Sequence, residues 1–344
     1  MKKLNLLIHP GFAKTATSWM QKSVFPNLKK CIYLGKPATS QKLHEAQYRL
    51  FNSLYGSTPY NARNSERLIN KYVETLSQEI IQRFPRSENN GYFIVSDETI
   101  FDYTTRNGEL NTFLLGSTLR KLRESLDSFC ETSVSILITF REQYSILKSF
   151  YAYSYALHSD RFPTFDKFLN YGINSHHSSF FGSLWYDEVY NQLKSIFKGD
   201  KLIFVPYEFL LENKIIFLEK SLLDFGVSDL DELKEISSTV AKEATNVNHT
   251  DSGNYMLRGT SNRRRFLTYA IQRKHLIPEK YHQTLGSIIH FLEPCFGKNT
   301  VIKGHIVDGD EKNKKMIQNI YGNSNRLLSN MIDVDLGALG YSIS

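Results

Sequence analysis

Five short apolar runs rich in β-branched or aromatic residues occur at Leu4–His9, Cys31–Leu34, Tyr92–Ser96, Ser133–Phe140 and Lys201–Pro206. Each is bounded by polar or turn-forming residues, the pattern of a strand buried on both faces. Between them, over Thr17–Leu28, Ser65–Phe84, Gly108–Phe129, Glu142–Leu157 and Leu184–Phe197, apolar residues recur three and four apart, the spacing of an amphipathic helix. Strands that alternate with crossover helices run parallel, and the helices cover both faces of the sheet they form. The expected class is therefore α/β, with a central parallel sheet flanked by helices.

After Phe209 the pattern is almost entirely helical, near Lys214–Phe225, Leu230–Ile236, Asn262–Lys274, Glu279–Phe291 and Glu311–Ile332. The polar stretch Glu243–Gly259 reads as a loop able to fold over a ligand. This organisation fits one domain over 1–344, an α/β core over 1–210 with a mainly helical C-terminal extension over 211–344. Apolar residues make up 41% and charged residues 22%, which excludes a disordered or fibrous chain. The net charge of +7 suits an anionic ligand and is too mild to argue for nucleic acid. Cys31, Cys130 and Cys295 are few, distant and odd in number, which argues against a disulfide framework and for a reducing, cytoplasmic setting. His9-Pro10-Gly11 interrupts the opening apolar run before it reaches the length of a secretory signal. No stretch has the length and apolarity of a transmembrane helix, so any membrane contact is expected to be peripheral.

The segment with the most chemistry joins the first strand to the first helix: His9-Pro10-Gly11-Phe12-Ala13-Lys14-Thr15-Ala16-Thr17-Ser18. Glycine and small residues there let the backbone turn tightly and aim several N–H groups at one anion. Lys14 adds a mobile positive charge, and Thr15, Thr17 and Ser18 add hydroxyls. The plain alternative is a strand–turn–helix connection with Thr17 as helix cap. Against the nucleotide P-loop GxxxxGK[ST], the lysine comes too early and the second glycine is missing. The fold is thus expected to be P-loop-like in its sheet, with a different loop.

A second constellation follows the strand Ser133–Phe140, where Arg141 stands at the strand's end and Ser149 on the helix after it. Doubly wound sheets bind ligands at such carboxyl edges, and a guanidinium grips phosphate with two parallel N–H donors. Alone, an arginine before a helix is as often a surface ion-pair residue.

The first segment resembles the 5′-phosphosulfate loop of the sulfotransferases that use 3′-phosphoadenosine 5′-phosphosulfate (PAPS), close to H-x-G-x-x-K-T-[GA]-T-[ST] in the bacterial and carbohydrate branches. His9, Gly11, Lys14, Thr15, Ala16, Thr17 and Ser18 carry the match. The second resembles the family's 3′-phosphate site, R-x7-S-x-[YF], through Arg141, Ser149 and Tyr151. Looser similarity extends through Trp185, Tyr186, Tyr207, Glu208, Asn325, Leu336, Gly340 and Tyr341. The resemblance implies transfer of a sulfuryl group from PAPS to an acceptor hydroxyl or amine, leaving 3′-phosphoadenosine 5′-phosphate (PAP), with no metal. It implies that Gly11, Ala13, Lys14, Thr15, Ala16, Thr17 and Ser18 hold the 5′ side of the donor, and Arg141 and Ser149 the 3′-phosphate. Lys14 is the candidate for stabilising the leaving oxygen.

The base is open among Glu98, Asp97 and His9. Glu98 comes first because relatives show a similar S-x-E strand ending, Asp97 is adjacent, and His9 could orient the donor or share proton transfer. Relatives place a base after the second strand, where Tyr33-Leu34-Gly35-Lys36-Pro37 has no carboxylate. The acceptor is expected to be a carbohydrate, glycolipid or small metabolite, and oligomeric state is not legible. His176 and His177 lack metal-site spacing, and Arg263, Arg264 and Arg265 read as a solvated helix face. The competing classes are a P-loop kinase or other nucleoside triphosphatase, and a nucleotide-binding protein without turnover.

Overall fold

The computed structural model describes residues 3–12, 14–35, 43, 45, 46, 62–84, 91–96, 112–158, 161–174, 181–226, 229–240, 256–259, 300–306 and 310–344. Five strands, β1 (Lys3–His9), β2 (Cys31–Gly35), β3 (Gly91–Ser96), β4 (Glu131–Phe140) and β5 (Lys201–Pro206), form one sheet in the order β2-β3-β1-β4-β5. Every pairing in it is parallel. The fold is α/β, with the apolar runs expected from the sequence supplying the strands.

Alternation along each strand feeds two cores. Leu4, Leu6 and Ile8 of β1, Phe93 and Val95 of β3, and Ile136, Ile138 and Phe140 of β4 pack on one face. There they meet Tyr72, Leu76 and Ile80 of α2 (Ala62–Arg83) and Leu122 and Leu126 of α3 (Thr112–Asp127). Ile146, Leu147 and Tyr151 of α4 (Gln143–His158), and Val189 and Leu193 of α6 (Tyr186–Ile196), join the same face, beyond α5 (Phe165–Asn174). Leu7, Ile94, Leu137, Ile203 and Val205 point to the other face. They pack on Trp19 of α1 (Thr17–Trp19), on Phe217, Leu218 and Leu222 of α8 (Lys214–Leu222), which follows α7 (Glu208–Glu212), and on Leu233 and Ile236 of α9 (Leu230–Val240). Burying both faces explains why the strands read as continuous apolar runs.

Two expectations need correction. The helix expected over Thr17–Leu28 is not regular: α1 passes into a π-helical turn at Met20–Val24 and a 3-10 turn at Phe25–Asn27. Pro26 has no N–H to give to the carbonyl four residues back, so a regular ladder cannot pass it. The C-terminal part is not all helical either. β6 (Met256–Gly259) and β7 (Thr300–Ile306) form an antiparallel ribbon, with β6 lying against α4. β6 falls within the stretch expected to be loop, and β7 carries Thr300, Val301, Ile302 and Ile306, side chains that favour extended backbone. The helices expected at Asn262–Lys274 and Glu279–Phe291 lie outside the described residues.

The last helix, α10 (Glu311–Ile332), begins where expected because Asp310 caps it, its Oδ1 accepting from the Lys312 N–H at 2.9 Å. It ends at Asp333, whose left-handed backbone (φ 53) turns the chain back over Leu336 and Tyr341 into the core. Among the described residues, no helix is long and apolar enough to cross a membrane.

Candidate functional site

The chain leaves β1 toward β2 on one side of the sheet and leaves β4 toward β5 on the other. The carboxyl ends of β1 and β4 therefore flank the switch point, the crevice where open α/β sheets accept ligands. The loop after β1 and Arg141 after β4 both stand there.

The loop is built from unusual backbone. Gly11, Lys14 and Ala16 have φ of 58, 68 and 66°, and Lys14 and Ala16 are two of only three described non-glycine residues with positive φ. Left-handed backbone costs a non-glycine residue about 1–2 kcal/mol, so two such residues in one turn make this loop the candidate functional site. Left-handed residues set close together in a turn, as Lys14 and Ala16 are, recur in loops whose N–H groups gather around an anion.

Thr15 and Thr17 hold this shape. Thr15 Oγ1 donates to the Phe12 carbonyl at 2.6 Å and lies 2.7 Å from Thr139 Oγ1 at the end of β4. Thr17 Oγ1 also donates to the Phe12 carbonyl, at 3.1 Å, while Ala16 occupies the cap position with no side-chain bond. Thr17 is therefore not the helix cap, and both threonine hydroxyls shape the loop. The Lys14 ammonium and the exposed Ser18 hydroxyl complete its polar equipment. The Phe12 N–H donates to the Thr139 carbonyl at 3.4 Å, tying the loop to β4. Ala13 lies outside the described residues.

Gly11 is required here. A Cβ on it would stand 2.9 Å from Thr17 Oγ1 and 3.3 Å from His9 Nε2, on top of its positive φ. His9 beneath it is fully buried, with its ring edge-on to Phe25 at 5.2 Å. Burial pulls its imidazole down from 6.5 to about 3, so the ring is neutral at ordinary pH. His9 and Ser96 are opposed in the β1–β3 register, and His9 Nδ1 is 2.8 Å from Ser96 Oγ. Gln21 Nε2 donates to the same oxygen at 3.1 Å. His9 Nε2 has no hydrogen-bond partner among the described residues.

Arg141 meets the loop directly, Nη1 donating to the Lys14 carbonyl at 3.4 Å. The residue is only 8% exposed and its guanidinium lies 4.6 Å over the Tyr207 ring. The Tyr186 hydroxyl donates to the Arg141 carbonyl at 2.6 Å, fixing the strand-to-helix turn from behind. Glu142 then starts α4, its carboxylate accepting from the Tyr144 and Ser145 N–H groups at 3.0 and 2.7 Å.

Glu208 braces this turn, accepting from the Glu142 N–H at 3.0 Å and from the Tyr341 hydroxyl at 2.6 Å. Its burial raises the carboxyl above the usual range, an effect that these two bonds and the Arg141 charge partly offset. Gln143 and Asn325 exchange amide bonds at 2.6 and 3.1 Å, and Asn325 donates to the Ser342 carbonyl at 3.0 Å. Tyr186, Tyr207, Glu208, Asn325 and Tyr341, the looser points of resemblance, thus converge behind or beside Arg141.

Ser149 lies half-buried on α4, six residues after its start. Tyr153, four residues further on, shares its helix face, and the Lys14 ammonium sits over the Tyr153 ring at 3.3 Å from the centroid. The structure therefore brings His9, Gly11, Lys14, Thr15, Ala16, Thr17, Arg141 and the face of Ser149 to one edge of the sheet. Asp97 and Glu98 follow β3 directly in sequence but lie outside the described residues, as do Lys36, His176, His177 and Arg263–Arg265.

Ser96, Gln21 and Tyr153 had no place in the expected site. Ser96 is a polar residue closing an apolar strand, and Tyr153 keeps helical spacing from Ser149; both signals were in the sequence. Gln21 carried none. No protein-family model matches the chain, and no curated protein matches it.

Proposed function

We propose that the protein is a sulfotransferase that moves a sulfuryl group from PAPS to an acceptor hydroxyl or amine by in-line displacement. One observation carries the reading: two segments 127 residues apart, each suited to an anion, meet at the switch point through the 3.4 Å bond from Arg141 to the Lys14 carbonyl. A donor with phosphate at both ends of its ribose needs two such anion sites close together, one on each side of that sugar.

In this reading the loop from Gly11 to Ser18 takes the 5′-phosphosulfate through backbone N–H groups and Lys14. Arg141 and Ser149 take the 3′-phosphate, the guanidinium supplying paired donors. The bond between sulfur and the bridging phosphate oxygen breaks as the acceptor oxygen bonds to sulfur, and PAP departs with the electron pair. Lys14 meets the charge growing on that oxygen. The acceptor proton passes to a base, for which Glu98 and Asp97 are the candidates. His9 is the third candidate, and its burial beneath Gly11 favours an orienting role under the loop. A carbohydrate, glycolipid or small metabolite is the acceptor class, in a cytoplasmic setting.

Calorimetry tests the donor. PAP should bind at least tenfold tighter than ATP–Mg or adenosine 5′-phosphate; a preference for ATP–Mg would favour a kinase and overturn the reading. With an acceptor in hand, Lys14→Ala should slow turnover at saturating PAPS by about 10²–10³-fold, the scale of one preorganised charge stabiliser. An unchanged rate constant would remove Lys14 from the chemistry.

A further inference from the structure

A lysine side chain has four rotatable carbons and a strongly hydrated head, so a loop lysine is not aimed by its backbone alone. Lys14 has a left-handed backbone (φ 68), and its ammonium rests 3.3 Å from the centroid of the Tyr153 ring. Tyr153 is on α4, one turn beyond Ser149, and 49% exposed. A ring anchored on that helix draws the ammonium to the α4 side of the loop, the side on which Arg141 and Ser149 stand. The attraction comes from the negative face of the ring, so it needs the ring and not its hydroxyl.

We propose that Tyr153 is a positioning residue, whose ring holds the Lys14 ammonium between the loop and the Ser149 face of α4. This role rests on the sulfotransferase reading, which supplies the anion that Lys14 meets. Arg141 over Tyr207, at 4.6 Å, repeats the device at the second anion site, so each basic group is backed by an aromatic face.

A double-mutant cycle read by calorimetry with PAP tests it. In the Lys14 background, Tyr153→Leu should weaken PAP binding by about 3- to 10-fold, within the range of one cation–π contact, and Tyr153→Phe should stay within about twofold of wild type. In the Lys14→Ala background, Tyr153→Leu should change binding by less than about twofold, because the group it aims is gone. In the ligand-free protein, the Lys14 side-chain methylene protons should show an upfield ring-current shift, kept in Tyr153→Phe and lost in Tyr153→Leu.

Equal loss from Tyr153→Leu in both backgrounds, loss from Tyr153→Phe as large as from Tyr153→Leu, or no ring-current shift would each overturn the role while leaving the sulfotransferase reading intact. Wild-type protein that ignores PAP would instead bring down that reading, and this role with it.

Discussion

Acidification should uncouple the base of the loop, through one residue whose contribution can be isolated. His9 is neutral and sealed under Gly11, between Phe25 and Ser96, whereas in the unfolded chain it titrates near 6.5. Below that value the unfolded state takes up a proton that the native state refuses, so stability falls as pH drops. The contribution is whole above pH 6.5, declines from there to about 3, and is constant below. At about 1.36 kcal/mol per pH unit, the full window amounts to about 5 kcal/mol, of which about 2 kcal/mol is lost between pH 7 and pH 5. Glu208 acts with the opposite sign, since its raised carboxyl favours the folded state less as pH climbs through the range above its ordinary value. That term is common to wild type and a His9 variant, and cancels in their difference. The perturbation is therefore His9→Asn, which keeps an amide near Ser96 but cannot titrate. Urea unfolding of both proteins at pH 7, 6 and 5 should show the wild-type advantage shrinking by about 2 kcal/mol across the series. Parallel curves, with a constant difference, would mean that His9 is hydrated or ionised in the native protein, and the account of a dry, neutral floor under the loop would be wrong.

Two further substitutions test the construction of the site. Gly11→Ala should destabilise the protein by about 1–3 kcal/mol in thermal or urea unfolding and abolish PAP binding, since left-handed strain adds to a close approach. Gly199→Ala, at φ 91 with nothing within 4 Å, carries backbone strain alone, and a loss as large there would refute the steric part. Tyr341→Phe removes a donor to the buried Glu208 carboxylate and should cost about 1–3 kcal/mol, with the loss growing as pH rises because the ionised carboxylate is the form deprived. A pH-independent loss by chemical denaturation would mean that Glu208 does not titrate across that range, and the account of its raised carboxyl would be wrong.

What could be read in the sequence was whatever is encoded locally. Lys201–Pro206 and Glu311–Ile332 are strand and helix within those bounds, because burial on both faces writes a continuous apolar run and Asp310 writes a cap. Pro26 was equally local, and its missing N–H accounts for the regular ladder failing at the 3-10 turn Phe25–Asn27. β7 was harder, since its seven residues include Lys303, Gly304 and His305 and sit among helical patterns, where a short extended run competes poorly with its surroundings. The loop after β1 and Arg141 are local in the same way, each a short segment at a strand end whose residue types suit an anion, and the structure sets them side by side.

The partners that shape those segments are of another kind. Glu208 and Tyr341 are 133 residues apart, and Gln21 and Ser96 are 75 apart, yet each pair meets in one hydrogen bond. Nothing local about a glutamate after a strand says that it will be buried against a backbone N–H and a tyrosine from the far end of the chain. Such pairs are chosen by the topology: parallel order sets His9 level with Ser96, and the turn at Asp333 returns Tyr341 to the edge where Arg141 stands. The division has a consequence for how the site can fail. Substituting the Lys14 side chain should weaken ligand binding while leaving a folded protein, whereas substituting the distant braces should loosen the Arg141 turn and lower stability together with affinity. Lys14→Ala and Tyr341→Phe are thus expected to separate in unfolding assays even where both weaken PAP binding. A Lys14→Ala protein as destabilised as Tyr341→Phe would mean that the loop is part of the core and not a binding element laid on it.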